Sequence, residues 1–265
     1  MGDAAVDDSW RDGDSYELYV GRWSRRVAET FVPWLEVPPR SRWLDVGCGT
    51  GALSSAVLDQ ADPAAVFGIE PSGAFLQTAA RHLDGRAMLA HGTAESIPLA
   101  DVSFDAVVSG LVLNFVGDQP TALAEMSRVA APGATIAAYV WDYGGQMQFM
   151  KYFWSAADGL AGAAEADEGA RFPICHPDAL LALFNDSGLT DATVRAIDIP
   201  TRFASFDDYW KPFLGGTGVA PAYLASLDEA SRMTLRERLR RNLPTQPDGS
   251  IPLIARAWAV RSRRR

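Results

Sequence analysis

Lysine is nearly absent from this chain of 265 residues: Lys151 and Lys211 are the only two, within a Lys+Arg total of 24, and 33 Asp+Glu leave a net charge of −9. That balance argues against broad binding along a phosphate backbone, so no nucleic-acid partner is expected. Cysteine is equally scarce. Cys48 and Cys175 stand far apart with no metal or redox spacing, as expected in a reducing compartment. No run of about eighteen apolar residues occurs, and no basic leader precedes an apolar segment, so neither a membrane span nor a secretory signal is expected and the expected location is cytoplasmic. Low-complexity tracts and repeats are missing too. Histidine occurs three times, at His82, His91 and His176, never with a second ligand at metal spacing, so no metal site is expected. The excess of Arg and Ala over Lys has the look of a GC-rich bacterial genome.

What is present is concentrated in Trp43 to Leu53, WLDVGCGTGAL. An apolar run carries Asp45 to its end, three glycines follow at Gly47, Gly49 and Gly51, and a helical pattern begins. A buried strand turning through glycines into a helix makes a nucleoside pocket, because the glycines admit positive φ and close backbone approach. Unpaired N–H groups at the helix start are expected to attract an anionic group. With Ala52 in the last position the loop also fits G-x-G-x-x-G/A, so the glycines alone do not separate a nicotinamide or flavin site from another nucleoside site. Asp45 favours the latter: its carboxylate repels a pyrophosphate and attracts the ammonium of an amino-acid moiety. S-adenosylmethionine carries that ammonium together with a carboxylate and a ribose.

The segment resembles the first motif of class I S-adenosylmethionine-dependent methyltransferases, in particular their small-molecule group called type 11. Three further stretches support the resemblance in the same order. VFGIEPS, Val66 to Ser72, carries Glu70 nineteen residues beyond Gly51, near the spacing at which an acid meets ribose hydroxyls, with Pro71 and Ser72 beside it. The run HGTAESIPLADVSFDAVVSG is similar to the family's third-to-fourth-strand region. It implies an adenine border at Thr93, Ala94 and Glu95, a fourth strand opening at Phe104 and Asp105, and cofactor contacts at Ser109, Gly110 and Leu111. LAEMSRVAAPGATIAAYVW, Leu123 to Trp141, resembles the family's helix, Pro-Gly turn and fifth strand. Two departures stand out. Thr93 occupies a place where many relatives have an acid, and Ala134 replaces the second glycine of a usual Pro-Gly-Gly.

The resemblance implies an α/β fold: a Rossmann-like seven-stranded, mostly parallel sheet whose last strand is antiparallel, with helices on both faces and helical lid insertions. Periodicity agrees in outline. A helix is expected from Arg22 to about Trp34, and Leu53, Ala56 and Val57 point inward from the helix after the glycine loop. Ser72 can cap a helix carrying Phe75, Leu76, Ala79 and Leu83, and Asp118 one whose Leu123, Met126 and Val129 face the sheet. Pro132 and Gly133 are expected to end that helix, with the fifth strand at Thr135 to Trp141. Beyond it, Tyr143 to Gly169 reads as a mobile cover. A helix at 177–187, a strand at 193–202, inserted helix at 206–243 and a last strand at 251–260 follow. The whole is expected as one domain: an N-terminal lid helix in 1–40, a cofactor-binding core in 41–142, a cover insertion and helix in 143–190, and C-terminal strands with a helical insertion in 191–265.

Methyl transfer needs alignment and water exclusion more than side-chain chemistry, and a base only where the acceptor must lose a proton. Candidate polar groups are Asn114, Asp142 and Tyr143 at the strand ends and His176 at a helix start, with Tyr19 and Arg22 approaching from the lid to the cofactor. Cys48 sits in the glycine loop as a small packing residue. The aromatics Trp141, Tyr143, Phe149, Tyr152, Phe153 and Trp154, joined by Tyr209, Trp210 and Phe213, can make either an apolar acceptor pocket or plain core. A small apolar or aromatic metabolite is the expected acceptor, and nothing resembles the Asn-Pro-Pro-Tyr motif of amino-methylating enzymes. Ser231 to Arg241 reads as a solvated amphipathic helix. A nucleotide-dependent oxidoreductase and a non-catalytic cofactor-binding regulator remain as alternatives, and a monomer or homodimer is expected.

Overall fold

The computed structural model describes residues 21–215 and 218–265, with only the backbone of Arg22. Tyr19 and the Arg22 side chain lie outside the described residues. The described helices are α1 (Arg22–Trp34), α2 (Ala52–Gln60), α3 (Gly73–Leu83), α4 (Gln119–Val129), α5 (Gln148–Ala157), α6 (Ala163–Ala166), α7 (Glu168–Arg171), α8 (Pro177–Asp186), α9 (Phe206–Trp210), α10 (Val219–Ser226) and α11 (Glu229–Asn242). The strands β1 (Arg42–Val46), β2 (Ala65–Glu70), β3 (Met88–His91), β4 (Phe104–Gly110), β5 (Ala130–Trp141), β6 (Thr190–Phe203) and β7 (Ile251–Arg263) form one sheet in the order β3-β2-β1-β4-β5-β7-β6. The first five run parallel, and β7 enters antiparallel between β5 and β6.

Parallel strands need crossover helices, and right-handed crossovers place helices on opposite faces once the strand order reverses between β1 and β4. Helices α1, α2 and α3 pack in succession on one side, and α4 and α8 meet on the other. Capping follows the sequence: the Ser72 hydroxyl accepts from the Phe75 N–H at the start of α3, and Asp118 accepts from Thr121 at the start of α4. The inner faces are the expected ones, with Leu53, Ala56, Val57, Leu123, Met126 and Val129 all buried.

Two expectations are corrected. Helix α4 passes directly into β5 at Ala130, so Pro132 and Gly133 lie inside the strand instead of ending the helix. Gly133 takes φ +76° and its N–H donates to the Arg264 carbonyl at 3.0 Å; the register jump from Phe104↔Ala130 to Ala106↔Thr135 absorbs the turn as a bulge. The second correction concerns the cover. Phe149 stacks on Phe203 (5.4 Å, 24°) and Phe213 (4.6 Å, 29°), Phe153 stacks on Phe213 (4.5 Å, 16°), and Trp154 stands at 90° to Phe153. These rings are buried, and the Tyr209 hydroxyl satisfies itself on the Phe149 carbonyl at 2.8 Å. The aromatic segment is therefore core for the second half of the sheet.

Beneath it lies a buried acid. Glu168 in α7 is only 4% exposed, and its carboxyl accepts from the Trp154 indole N–H. Desolvation, partly opposed by that hydrogen bond, lifts its pKa from 4.5 to about 8. Between those values the unfolded chain is ionised while the folded protein holds the proton, so Glu168 withdraws stability as pH rises through this window. Glu168→Gln keeps an acceptor for Trp154 and removes the titration. Urea unfolding at pH 8 is expected to find the variant more stable than wild type by a few kcal/mol, on the order of 1.4 kcal/mol per pH unit withdrawn, with the gap shrinking towards pH 5. A gap that does not change with pH refutes the assignment.

Candidate active site

A cavity of about 510 Å³ opens at the carboxyl ends of β1, β2 and β4, beside the point where the strand order reverses. Open α/β sheets bind ligands there because adjacent crossovers diverge to opposite faces and leave a crevice. Strand β1 delivers Asp45, which is buried. Its Oδ2 accepts from the Ser54 hydroxyl at 2.7 Å, while Oδ1 has no hydrogen-bond partner. Desolvation raises its pKa from 3.8 to about 7, hydrogen bonds from the Ser54 side chain and backbone oppose this, and Glu70 adds to it.

Strand β2 delivers Glu70, also buried, whose Oε1 accepts from the Ser72 N–H at 2.9 Å and whose Oε2 accepts from the Gly49 N–H at 3.2 Å. Burial pushes its pKa up, against those two bonds and the neighbouring His91. Each oxygen keeps a second lone pair for a ligand hydroxyl. Between the two acids runs the glycine loop. Gly47 takes φ +74°, and a Cβ there would stand 2.6 Å from Val112 Cγ2, so only glycine lets the loops after β1 and β4 meet. Four of the loop's N–H groups are already paired. Gly47 and Cys48 both donate to the Ile69 carbonyl (2.8 and 2.9 Å), Gly49 to Glu70 and Gly51 to the Cys48 carbonyl (2.8 Å). A loop closed on itself in this way, between two carboxylates, suits a cationic ligand group better than a pyrophosphate.

The third side comes from β4 and the turn after it. Leu111 has φ +63°, a conformation that costs a leucine about 1–3 kcal/mol and recurs at ligand sites. Its N–H donates to the Tyr139 carbonyl at 2.7 Å, and the chain then curls through the 3₁₀ turn Leu113–Phe115. Asn114 in that turn is buried, and its Nδ2 has no hydrogen-bond partner.

Of the expected residues, Asp45, Gly47, Cys48, Gly49, Glu70, Pro71, Ser72, Thr93, Ala94, Glu95, Gly110, Leu111 and Asn114 line the cavity. Gly51 and Ser109 do not: Gly51 caps α2 at φ +91°, and the Ser109 hydroxyl donates to the Val46 carbonyl at 2.8 Å, tying β4 to β1. Asp142, Tyr143 and His176 also stand outside it. Asp142 caps its own turn by accepting from the Gln146 N–H at 2.8 Å, Tyr143 packs on Phe172 at 5.9 Å, and the His176 ring is solvent-exposed beside Asp178. His82 lies exposed on α3, where its Nδ1 pairs with the Thr50 carbonyl of the loop at 3.0 Å.

The aromatic wall differs from the expected one. Phe75, Phe115, Tyr139 and Phe172 line the cavity, and none of Trp141, Phe149, Tyr152, Phe153, Trp154, Tyr209, Trp210 or Phe213 does. Phe115 follows Asn114 and was within reach of the motif. Tyr139 was not: its place rests on the register Gly110↔Tyr139, a tertiary fact, and Phe172 comes from a segment without pattern. Ser24 of α1, Thr50, Val112 and Val116 complete the lining residues that carried no signal.

S-adenosylmethionine fits this donor set. An orphaned, buried carboxylate oxygen at Asp45 suits its ammonium, and Glu70 suits its ribose hydroxyls. Fold and site together define a class I S-adenosylmethionine-dependent methyltransferase. Residues 44–138 match the family model described as a methyltransferase domain. Over 254 residues it is 29% identical to the malonyl-(acyl-carrier protein) O-methyltransferase of Halorhodospira halophila, covering 89% of this chain and 81% of the relative. The demethylmenaquinone methyltransferase of Roseiflexus castenholzii is 29% identical over 180 residues, 62% of this chain and 75% of that protein. Among solved structures, the YcgJ protein of Bacillus subtilis superposes with a TM-score of 0.60 at 17% identity, over 91% of this chain and 98% of its own. Phosphoethanolamine N-methyltransferase 2 of Haemonchus contortus, solved with S-adenosylhomocysteine, gives a TM-score of 0.60 at 14% identity, over 95% of this chain and 56% of its own. Among the described residues no helix is long and apolar enough to cross a membrane, and no group of three or more His, Cys, Asp or Glu is placed to hold a metal ion.

Proposed function

We propose that this methyltransferase acts on a small acceptor with an apolar or aromatic body, as a single domain working in the cytoplasm. The observation that carries the donor half is the unpartnered Oδ1 of Asp45, facing a cavity with Glu70 on the neighbouring strand. Asp45 would hold the amino-acid end, Glu70 the ribose, and the Thr93 to Glu95 segment the adenine. The bound cofactor supplies a sulfonium methyl with a good leaving group. The chain's own contribution is to orient and to exclude water: Leu111, Val112, Phe115, Val116 and Phe172 form an apolar wall around the place left for an acceptor. The two relatives are named for different acceptors, so what they share with this chain describes the donor site.

Calorimetric titration with S-adenosylmethionine, S-adenosylhomocysteine and NADH tests the reading. Heat from the first two and none from NADH is expected; NADH binding without adenosylmethionine heat overturns it in favour of an oxidoreductase. Turnover is read by incubating methyl-labelled cofactor with a metabolite extract and locating labelled product by mass spectrometry. Absence of any labelled product, with cofactor binding intact, favours a regulator.

A further inference from the structure

Nearly every polar side chain around the cavity has a partner or an assigned ligand group. Ser24 donates to the Gly21 carbonyl at 2.8 Å, the Glu70 oxygens accept from Gly49 and Ser72, and Asp45 Oδ1 answers the cofactor's ammonium. Asn114 is different. Only 6% exposed, it is among the residues that line the cavity, its buried Nδ2 bonds nothing, and Val112, Phe115, Val116, Tyr139 and Phe172 line the same cavity. A buried amide N–H without a partner costs about 1–3 kcal/mol, so its retention calls for a partner that arrives with a ligand.

Resting on the methyltransferase reading above, we propose that Asn114 determines acceptor specificity: its Nδ2 donates a hydrogen bond to an oxygen of a flat apolar acceptor seated against Phe115 and Phe172. Those two rings meet edge to face at 5.4 Å and 78°, and Phe115 is 40% exposed at the cavity mouth, which leaves a ring face for a planar ligand. The unmet group is a donor, so it selects an oxygen with free lone pairs, such as a phenolate, enolate or carbonyl. An aryl amine brings hydrogens where an acceptor is required. A site built around a polar contact rejects the analogue lacking it more strongly than an apolar pocket rejects a change of size, because the buried group is left unpaired.

The test uses the full chain saturated with S-adenosylhomocysteine, which permits binding without turnover, and the isosteric probes 2-naphthol and 2-naphthylamine titrated by fluorescence. Wild type is expected to favour the naphthol by roughly ten- to a hundredfold, within the cost of leaving a buried donor unpaired against the amine. Asn114→Ala is expected to bring the two within about twofold. S-adenosylhomocysteine affinity stays within about twofold throughout, which shows that the variant is folded. An unchanged naphthol preference in Asn114→Ala, or no binding of either probe to the loaded wild type, overturns the inference. Failure of S-adenosylhomocysteine to bind wild type overturns the donor-site reading instead, and the inference falls with it; the first titration tells the two apart.

Discussion

Asp45→Asn is expected to lower S-adenosylmethionine affinity by roughly thirty- to several-thousand-fold, the range found when one member of a buried, hydrogen-bonded charge pair is removed. The same change is expected to leave the unliganded protein as stable as wild type or more so. The reason lies in its titration. Asp45 is lifted to about 7 by burial, so from its ordinary 3.8 up to 7 the folded protein holds a proton that the unfolded chain has lost. Stability from this group is complete below 3.8 and withdrawn as pH rises through 7. Asparagine is close in shape to the protonated acid and removes that penalty, while its amide cannot balance an ammonium. Opposite signs for cofactor affinity and apo stability therefore distinguish a ligand-binding acid from a structural one. Wild-type affinity should follow a narrow bell, rising about tenfold per pH unit up to about 7 as Asp45 ionises and falling above about 8 as an α-amino group loses its charge. Asp45→Asn loses the acid limb. Calorimetry across pH 5–9 measures both, and an affinity unchanged by the substitution refutes the role of Asp45.

Phe153→Ala is expected to produce the largest loss of stability, about 3–5 kcal/mol, because the ring is fully buried and its space cannot be refilled by its neighbours. Phe213 stacks on it at 4.5 Å, Trp154 meets it edge-on at 5.0 Å and Tyr223 at 6.3 Å, and all three are anchored in separate helices or turns. For a domain of this size the melting temperature should fall by roughly 6–20 °C. Affinity for S-adenosylhomocysteine, measured well below the melting range, should stay within about twofold, since none of these rings lines the cavity. A weakened acceptor or cofactor site with little loss of stability would return the aromatic cluster to the pocket wall.

The two predictions fall on either side of what could be read along the chain. Asp45, Gly47, Gly49 and Glu70 were legible as cavity-lining residues because their placement is local: each sits at the end of a strand beside a turn, where residue type follows from backbone geometry. Strand and helix order was legible for the same reason, since caps at Ser72 and Asp118 and inward faces at 3.6-residue spacing are set within a few residues. Ile69, on the next strand, takes the N–H groups of Gly47 and Cys48, a pairing that residue type alone does not reveal. Asp142 and Tyr143, expected at the site, stand outside the cavity. Both follow a strand end, but Asp142 turns back to cap Gln146, a bond the residue type permits and the position alone does not reveal.

Which aromatics pack as core and which face the acceptor depended on distances between elements far apart in sequence. Phe149 and Phe153 meet Phe203 and Phe213 across at least fifty residues of chain, and Phe172 reaches the cavity only because its segment docks beside the turn that holds Asn114 and Phe115. By itself the sequence determined the fold class and the methyl donor, because a strand, a glycine turn and a carboxylate act through their own backbone. The tertiary structure alone decided the wall around the acceptor and left Asn114 unpartnered within it, because burial and an unmet hydrogen bond exist only once distant segments have closed around a residue.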